Sequence, residues 1–432
     1  MPSTVSEILE RLSRLHPKNI DLSLDRIRGL LADLGNPHKN LPPVIHIAGT
    51  NGKGSTLAFI RAFMEQSKKS VHVYTSPHLV RFNERILLNG REISDSHLER
   101  CLTRVENVNA GRPLTFFEAT TAAAFLAFSE TPADFVLLET GMGGRLDATN
   151  VVESPALTLI ASLSMDHEDY LGHTLKEIAA EKAAIFKTGT PALAMKALPE
   201  AAEVLNRFAK DRNVLLKIQG KDWEVLPRKG GFLFNGTLFP PPALKGVHQF
   251  SNAGLAIAAV KELNAAGLCS VSDKNIADGL KSVRWAGRLE RLSAYPLPDG
   301  WELWVDGGHN AGAAAALAEF LPQWSDKPLH MICGMLKSKD SAAFLKQLAP
   351  FAASFHAVTA PDGTSAGRTA EELAHIAESS GFRNPETGGN IPETIETLTS
   401  GRYPAGRILI CGSLYLLGRF FSFNRGINNG KK

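Results

Sequence analysis

The segment Val44–Thr56, VIHIAGTNGKGST, carries the residue types needed to hold a phosphate group. Val44, Ile45, Ile47 and Ala48 read as a buried parallel strand, and Leu57, Ile60, Phe63 and Met64 supply the helical period that follows. Between them, Gly49, Gly52 and Gly54 let backbone N–H groups approach an anion. Lys53 adds a point charge, and Ser55 and Thr56 place hydroxyls where the helix begins. The spacing departs from the usual P-loop, because two residues rather than four separate Gly49 from Gly52-Lys53, and Gly54 stands where a hydroxyl normally follows the lysine. A tight turn using glycine for geometry alone would not require Lys53, Ser55 and Thr56 together.

Other reactive groups close predicted strands, where open α/β sheets collect their chemistry. The run Asp134–Glu139 ends in a carboxylate followed by the glycine-rich stretch TGMGGRLD, as expected if Glu139 points at magnesium; a surface or helix-capping role is the alternative. The run Leu157–Leu163 leads into Ser164-Met-Asp-His-Glu-Asp169. A lone histidine is more often structural, and only the place of His167 opposite Glu139 in the predicted sheet favours a metal-type role. Thr75-Ser76-Pro77-His78 follows another strand, where the Ser76 hydroxyl can ligate a metal or begin a turn. Thr174 and Glu177 form a capping box that opens a helix, and Lys182 falls in the middle of its apolar arc. A lysine there must snorkel, meet a carboxylate or lose its charge; a neutral amine can also combine with carbon dioxide to give an anionic carbamate. Thr115, Phe116, Phe117 and Glu118 offer aromatics and a carboxylate suited to a flat heteroaromatic ring, although aromatic pairs usually belong to a core. Asp306, His309 and Ser413 lie in two strand-end loops of similar form further on, and Asp306 can contact a ribose or a substrate amine or cap a helix.

These groups must be positioned by alternating strands and helices. Strands are predicted near 44–48, 71–75, 135–139, 157–163 and 191–195, the rhythm of a parallel sheet covered on both faces. Residues 215–240 break it with a small antiparallel hairpin turning at Lys229-Gly230-Gly231. A second alternation begins at Trp301, with strands at 302–306, 329–333, 355–359 and 407–411. The expected fold is α/β: a P-loop, doubly wound, mostly parallel domain over 1–294, then a smaller Rossmann-like domain over 295–432. A chain of 432 residues suits two cores. The net charge of +3, from 47 Lys+Arg against 44 Asp+Glu, does not suggest nucleic acid. Cys101, Cys269, Cys333 and Cys411 lack Cys-x-x-Cys spacing and read as buried thiols. The opening residues contain no apolar signal core, and no run is long and apolar enough to span a bilayer, so a cytoplasmic protein with no membrane partner is expected.

Taken together, GTNGKGST at 49–56, TSPHLVRFNERI at 75–86, TFFE at 115–118, ETGMGGRLDATN at 139–150, DHEDYLG at 166–172, EKAAIFK at 181–187, GRLERL at 287–292 and VDGGHNAGA at 305–313 resemble the folylpolyglutamate synthase and dihydrofolate synthase family, ATP-dependent ligases related to the Mur ligases. The resemblance implies that Gly52, Lys53, Gly54 and Ser55 hold ATP phosphates, with Asn252, Arg288 and Asp306 also contacting ATP. It implies that Ser76, Glu139 and His167 ligate magnesium, as two ions, and that Lys182 is carbamylated. Thr115–Glu118 with Leu146, Asp147 and Ala148 match the pterin-side pocket, while His309 and Ser413 face the glutamate and acyl-phosphate region. Gly308 and Ala311 depart from the family's Asp-x-Ala-His-Asn-Pro pattern around Asp306. The implied reaction is phosphoryl transfer from ATP to a folate or pteroate carboxylate, then amide formation with L-glutamate, with only small-molecule substrates; nothing in the sequence demands more than a monomer. A Mur-like ligase with another carboxylate acceptor would lack the Thr115–Glu118 pocket. An ATP-regulated binding protein would leave Lys182, Glu139 and His167 without a shared purpose.

Overall fold

A computed structural model describes residues 4–15, 23–362 and 365–429, and the chain divides into two compact units. The first comprises 1–163, 173–241 and 251–283; the second comprises 164–172, 242–250 and 284–432.

The first unit is built on an eight-stranded sheet of β1 (Val44–Ala48), β2 (Val71–Tyr74), β3 (Ile86–Leu88), β4 (Arg91–Glu92), β5 (Phe135–Glu139), β6 (Leu157–Ile160), β7 (Ala192–Ala194) and β8 (Leu216–Ile218). Their order is β4-β3-β2-β5-β1-β6-β7-β8. All pairings from β2 to β8 across this order are parallel, and β3 and β4 add an antiparallel edge. Every residue of β1 is buried, as a central strand covered on both faces requires. Register then brings reactive groups to one end: Ile47 pairs with Glu139 and Ala48 with Ile160, so the loop after β1 and the carboxylate closing β5 emerge side by side. The predicted strands 71–75, 157–163 and 191–195 stop one to three residues early, because their last residues leave the ladder to enter loops. β8 extends the parallel sheet from within a stretch whose local pattern suggested only antiparallel pairing. The antiparallel addition is three strands, β9 (Val225–Arg228), β10 (Gly231–Phe234) and β11 (Thr237–Phe239), with the first turn at Lys229-Gly230 and Gly230 at a positive φ of 83°.

The second unit has a six-stranded sheet of β12 (Glu290–Arg291), β13 (Glu302–Val305), β14 (Leu329–Cys333), β15 (Ser354–Ala357), β16 (Glu386–Thr387) and β17 (Arg407–Cys411), ordered β12-β13-β17-β14-β15-β16. Five strands run parallel and β12 runs against β13. Helices Ala311–Phe320, Ser341–Leu348 and Ala370–Ser379 cover the sheet, packing Leu317, Phe344, Leu345 and Leu373 against Met331, Phe355 and Leu409. All four cysteines are buried and free. Among the described residues, no helix is long and apolar enough to cross a membrane.

Both units enclose neutral histidines, with a consequence for stability. Burial pushes His46 of the first unit down to about 3, and burial takes His356 of the second to about 4. An unfolded histidine titrates near 6.5, so below that pH the unfolded chain binds protons that the folded chain refuses. Stability is therefore unaffected above pH 6.5 and falls as pH drops from there towards the folded values. His46 alone costs about 2 kcal/mol at pH 5. Calorimetry should show Tm several degrees lower at pH 5 than at pH 7; an unchanged Tm would contradict the neutral burial of these rings.

Candidate active site

The loop after β1 is shaped for an anion. Gly52 has φ 87°, a left-handed conformation, and a Cβ there would meet Asn252 Oδ1 at 2.3 Å. Glycine is therefore required both by conformation and by the approach of Asn252. The helix Lys53–Gln66 starts immediately afterwards without a side-chain N-cap, so its first N–H groups face the loop, and Ser55 and Thr56 are buried in its first turn. Lys53 Nζ donates to Gly49 O at 3.0 Å and lies 3.8 Å from Glu139 Oε1. Glu139, only 5% exposed, accepts the Ser76 N–H at 3.3 Å. Lys182 is 4% exposed and donates to the same Gly49 carbonyl at 3.1 Å. The structure thus brings Lys53, Glu139, Ser76 and Lys182 together around one loop. It also removes snorkelling as an account of Lys182, because the side chain is buried and its Nζ turns onto the Gly49 carbonyl.

The aromatic segment stands at the start of the helix Phe116–Ser129. Thr115 and Glu118 form a reciprocal capping box, with the Thr115 N–H donating to Glu118 Oε2 at 2.7 Å, and Arg26 Nε reaches the same oxygen at 3.3 Å. Glu118 is consequently spoken for by the helix end and by Arg26. Phe117 stacks on Tyr74 and lies over Gly141, where a Cβ would meet its ring at 2.5 Å. Phe116 meets Phe82 edge-on, and Leu146 packs against the same core. Asp147 and Ala148 are buried. Elsewhere in this unit, His97, Cys101 and Glu130 bring ligand-type atoms within 4.8 Å of one another, but Arg104 lies 3.0 Å from the Glu130 carboxylate and neutralises it.

The second unit holds a separate polar cluster, centred on a residue that spacing alone did not single out. Asp166, in the segment 164–172, receives Lys339 Nζ at 2.7 Å and Asn310 Nδ2 at 2.9 Å, and lies 3.6 Å from His309 Nε2. Burial alone would raise its carboxyl, yet the neighbouring His309 ring and the Lys339 charge hold it well below the usual carboxylate range. His167 belongs to this unit, with Nε2 3.4 Å from Lys339 Nζ. Asp306 is tied to backbone on both oxygens, accepting Leu289 N–H at 2.9 Å and Gly308 N–H at 2.8 Å. Arg288 Nη1 donates to Gly287 O at 3.0 Å, and buried Ser413 accepts the Tyr415 N–H at 3.2 Å. Asp166 had one visible signal, its place beside His167. Lys339 had none, since GMLKSKD reads as an ordinary solvated turn.

A glycine-lysine loop on a parallel sheet, with a lysine and a carboxylate beside it and a second α/β unit following, defines a Mur-type ATP-binding ligase. The family model for the Mur ligase middle domain matches residues 47–260, and that for the dihydrofolate synthetase C-terminal domain matches 298–423. A dihydrofolate synthase/folylpolyglutamate synthase of Bacillus subtilis is 34% identical over 418 residues, covering 91% of this chain and 93% of the relative. A solved Escherichia coli FolC in complex with DHPP and ADP superposes with a TM-score of 0.87 at 29% identity, covering 99% of each chain. A bifunctional folylpolyglutamate synthase/dihydrofolate synthase with Mn, AMPPNP and L-glutamate bound gives 0.85 at 27%, covering 98% of each. This chain belongs to the dihydrofolate synthase/folylpolyglutamate synthase family.

Proposed function

We propose that the chain is an ATP-dependent carboxylate–amine ligase that adds L-glutamate to a folate or dihydropteroate carboxylate. One observation carries the reading: Lys53 and Lys182 both donate to the Gly49 carbonyl beside a helix N-terminus, and the Glu139 carboxylate lies 3.8 Å from Lys53. That is more than a structural turn needs and is what a bound triphosphate and divalent ion require. ATP bound there would supply the phosphoryl group that activates the acceptor carboxylate, and the glutamate amine would then displace inorganic phosphate to leave the amide. The residues fit such a group. Gly52 lets Asn252 come up against the loop where a side chain would block it, and Lys53 and the first N–H groups of the helix offset phosphate charge. Asn252, Arg288 and Asp306 are assigned to the nucleotide. Ser76, Glu139 and His167 are assigned to the divalent ion, taken as magnesium and as two ions: Ser76 and Glu139 offer the hard oxygen donors that suit it, His167 adds a ring nitrogen, and a triphosphate carries charge enough for both ions. Thr115 to Glu118 and Leu146 to Ala148 border the acceptor, where Phe117 supplies an aromatic face. His309 and Ser413 are assigned to glutamate. We take the working unit to be a monomer and the substrates to be small molecules of the cytoplasm.

The relatives' names join two activities, and dihydropteroate and tetrahydrofolate should both be accepted. Product analysis with each acceptor in parallel should show one added glutamate per phosphate released, and only when ATP, Mg2+, acceptor and L-glutamate are all present. Phosphate release that ignores the acceptor and glutamate would point instead to a nucleotide-driven switch.

A further inference from the structure

We propose that His46 and Thr149 are positioning residues for the ligase reaction, locking Asp147 and through it the glycine loop that follows Glu139. The inference rests on the reading above that this loop borders the acceptor and the metal.

The chain of contacts begins in the middle of the sheet. His46 lies on β1 with no exposure, and its Nε2 is 2.8 Å from Thr149 Oγ1. Thr149 Oγ1 is in turn hydrogen-bonded to Asp147 Oδ1. The Asp147 carboxylate also accepts Thr149 N–H at 3.0 Å, Gly141 N–H at 2.8 Å and Met142 N–H at 3.0 Å. Burial pushes the Asp147 carboxyl up, but the donors that meet both of its oxygens favour the ionised acceptor, so the single hydroxyl proton of Thr149 goes to Asp147. Thr149 must then accept from His46, which fixes the ring as the neutral tautomer protonated on Nε2; Nδ1 is left buried without a partner. Every proton in the chain points the same way, from the strand towards Asp147.

What the chain holds is the loop, from two sides. Thr140 N–H donates to Ile47 O at 3.0 Å, and the next two N–H groups, of Gly141 and Met142, are the ones that Asp147 captures. Gly141 lies directly under the Phe117 ring, so its position sets the aromatic face. Glu139 precedes the same loop by one residue. Four hydrogen bonds occupy about the four lone-pair sites a carboxylate offers. Asp147 therefore spends its hydrogen-bonding capacity on ordering the loop that borders the acceptor.

The test is a pair of substitutions in the full-length protein, read as separate kcat and KM values for dihydropteroate and for ATP, with Tm alongside. Thr149→Val keeps the shape and removes the hydroxyl; it should raise the acceptor KM about tenfold or more, with the ATP KM little changed. Thr149→Ser keeps the hydroxyl and loses a methyl, and should recover most of the difference. A packing role would reverse that order. Wild-type acceptor KM in Thr149→Val, or a serine variant as impaired as the valine, overturns the proposal. Should the valine protein not fold, His46→Gln against His46→Leu poses the same question, since only glutamine can still donate towards Thr149; equal acceptor KM values in that pair overturn it too. Glu139→Gln separates this proposal from the reading beneath it. A Glu139→Gln protein with wild-type activity at limiting Mg2+ removes the metal reading beneath this proposal, whereas one impaired there beside an unaffected Thr149→Val removes only the relay.

Discussion

Replacing Lys182 by alanine is expected to lower kcat about a hundredfold or more while leaving the fold intact, and acetate or formate at tens of millimolar should restore part of the loss. The argument begins with the shared carbonyl. Lys53 and Lys182 both donate to Gly49 O, at 3.0 and 3.1 Å, so their nitrogens lie within about 6 Å of one another. Two ammonium groups at that separation repel by roughly 3 kcal/mol at an effective dielectric of 20. Burial adds a desolvation cost for Lys182, which is 4% exposed. Reaction of its neutral amine with carbon dioxide forms an N–C bond, releases one proton and leaves a carbamate. The group would then be an anion facing the Lys53 ammonium, with an N–H still able to serve the Gly49 carbonyl. Small carboxylates can occupy the space left by alanine and supply the same oxygens. A variant within tenfold of wild type, or one that acetate does not help, would show that Lys182 works as an amine. Carbon-13 bicarbonate should also give a carbamate NMR signal that is absent from the alanine variant.

Glu139→Gln should have an effect of similar size and a different signature. Glutamine keeps the side-chain volume and can still accept the Ser76 N–H, but it withdraws the charge that lies 3.8 Å from Lys53 and that a divalent ion would need. Activity at limiting Mg2+ should fall by about 10²–10³, and the half-saturating Mg2+ concentration should rise, so that excess metal recovers part of the rate. Chelation of the wild type should abolish turnover reversibly. If Glu139→Gln lost activity with an unchanged metal requirement, the carboxylate would be orienting Lys53 rather than holding the ion.

Much of this protein is legible before folding is considered, and particular elements show why. β1 and the helix after it are encoded within Val44–Met64, where a continuous apolar run, glycines and a change to helical period are all local signals. The second sheet is equally plain: 329–333 and 407–411 are expected and found as strands. Short edge strands such as β4, β12 and β16, each of two residues, carry no period to read, since pairing with a neighbour is all that defines them.

The residue sequence by itself determined the chemistry on offer: a phosphate loop with its lysine, a carboxylate closing one strand, a lysine inside an apolar arc, and two strand-end loops bearing Asp306, His309 and Ser413. Those follow from residue types and from periods of two and 3.6, which depend only on neighbours along the chain. Only the tertiary structure decided what those groups do to one another. It placed Lys182 on the Gly49 carbonyl across 133 positions, turned Asp147 inward to His46 and Thr149, and joined Asp166 to Lys339 across 173. The reason is physical: a side chain's local rotamers are set by its own backbone, whereas its burial and partners are set by whichever distant element packs over it.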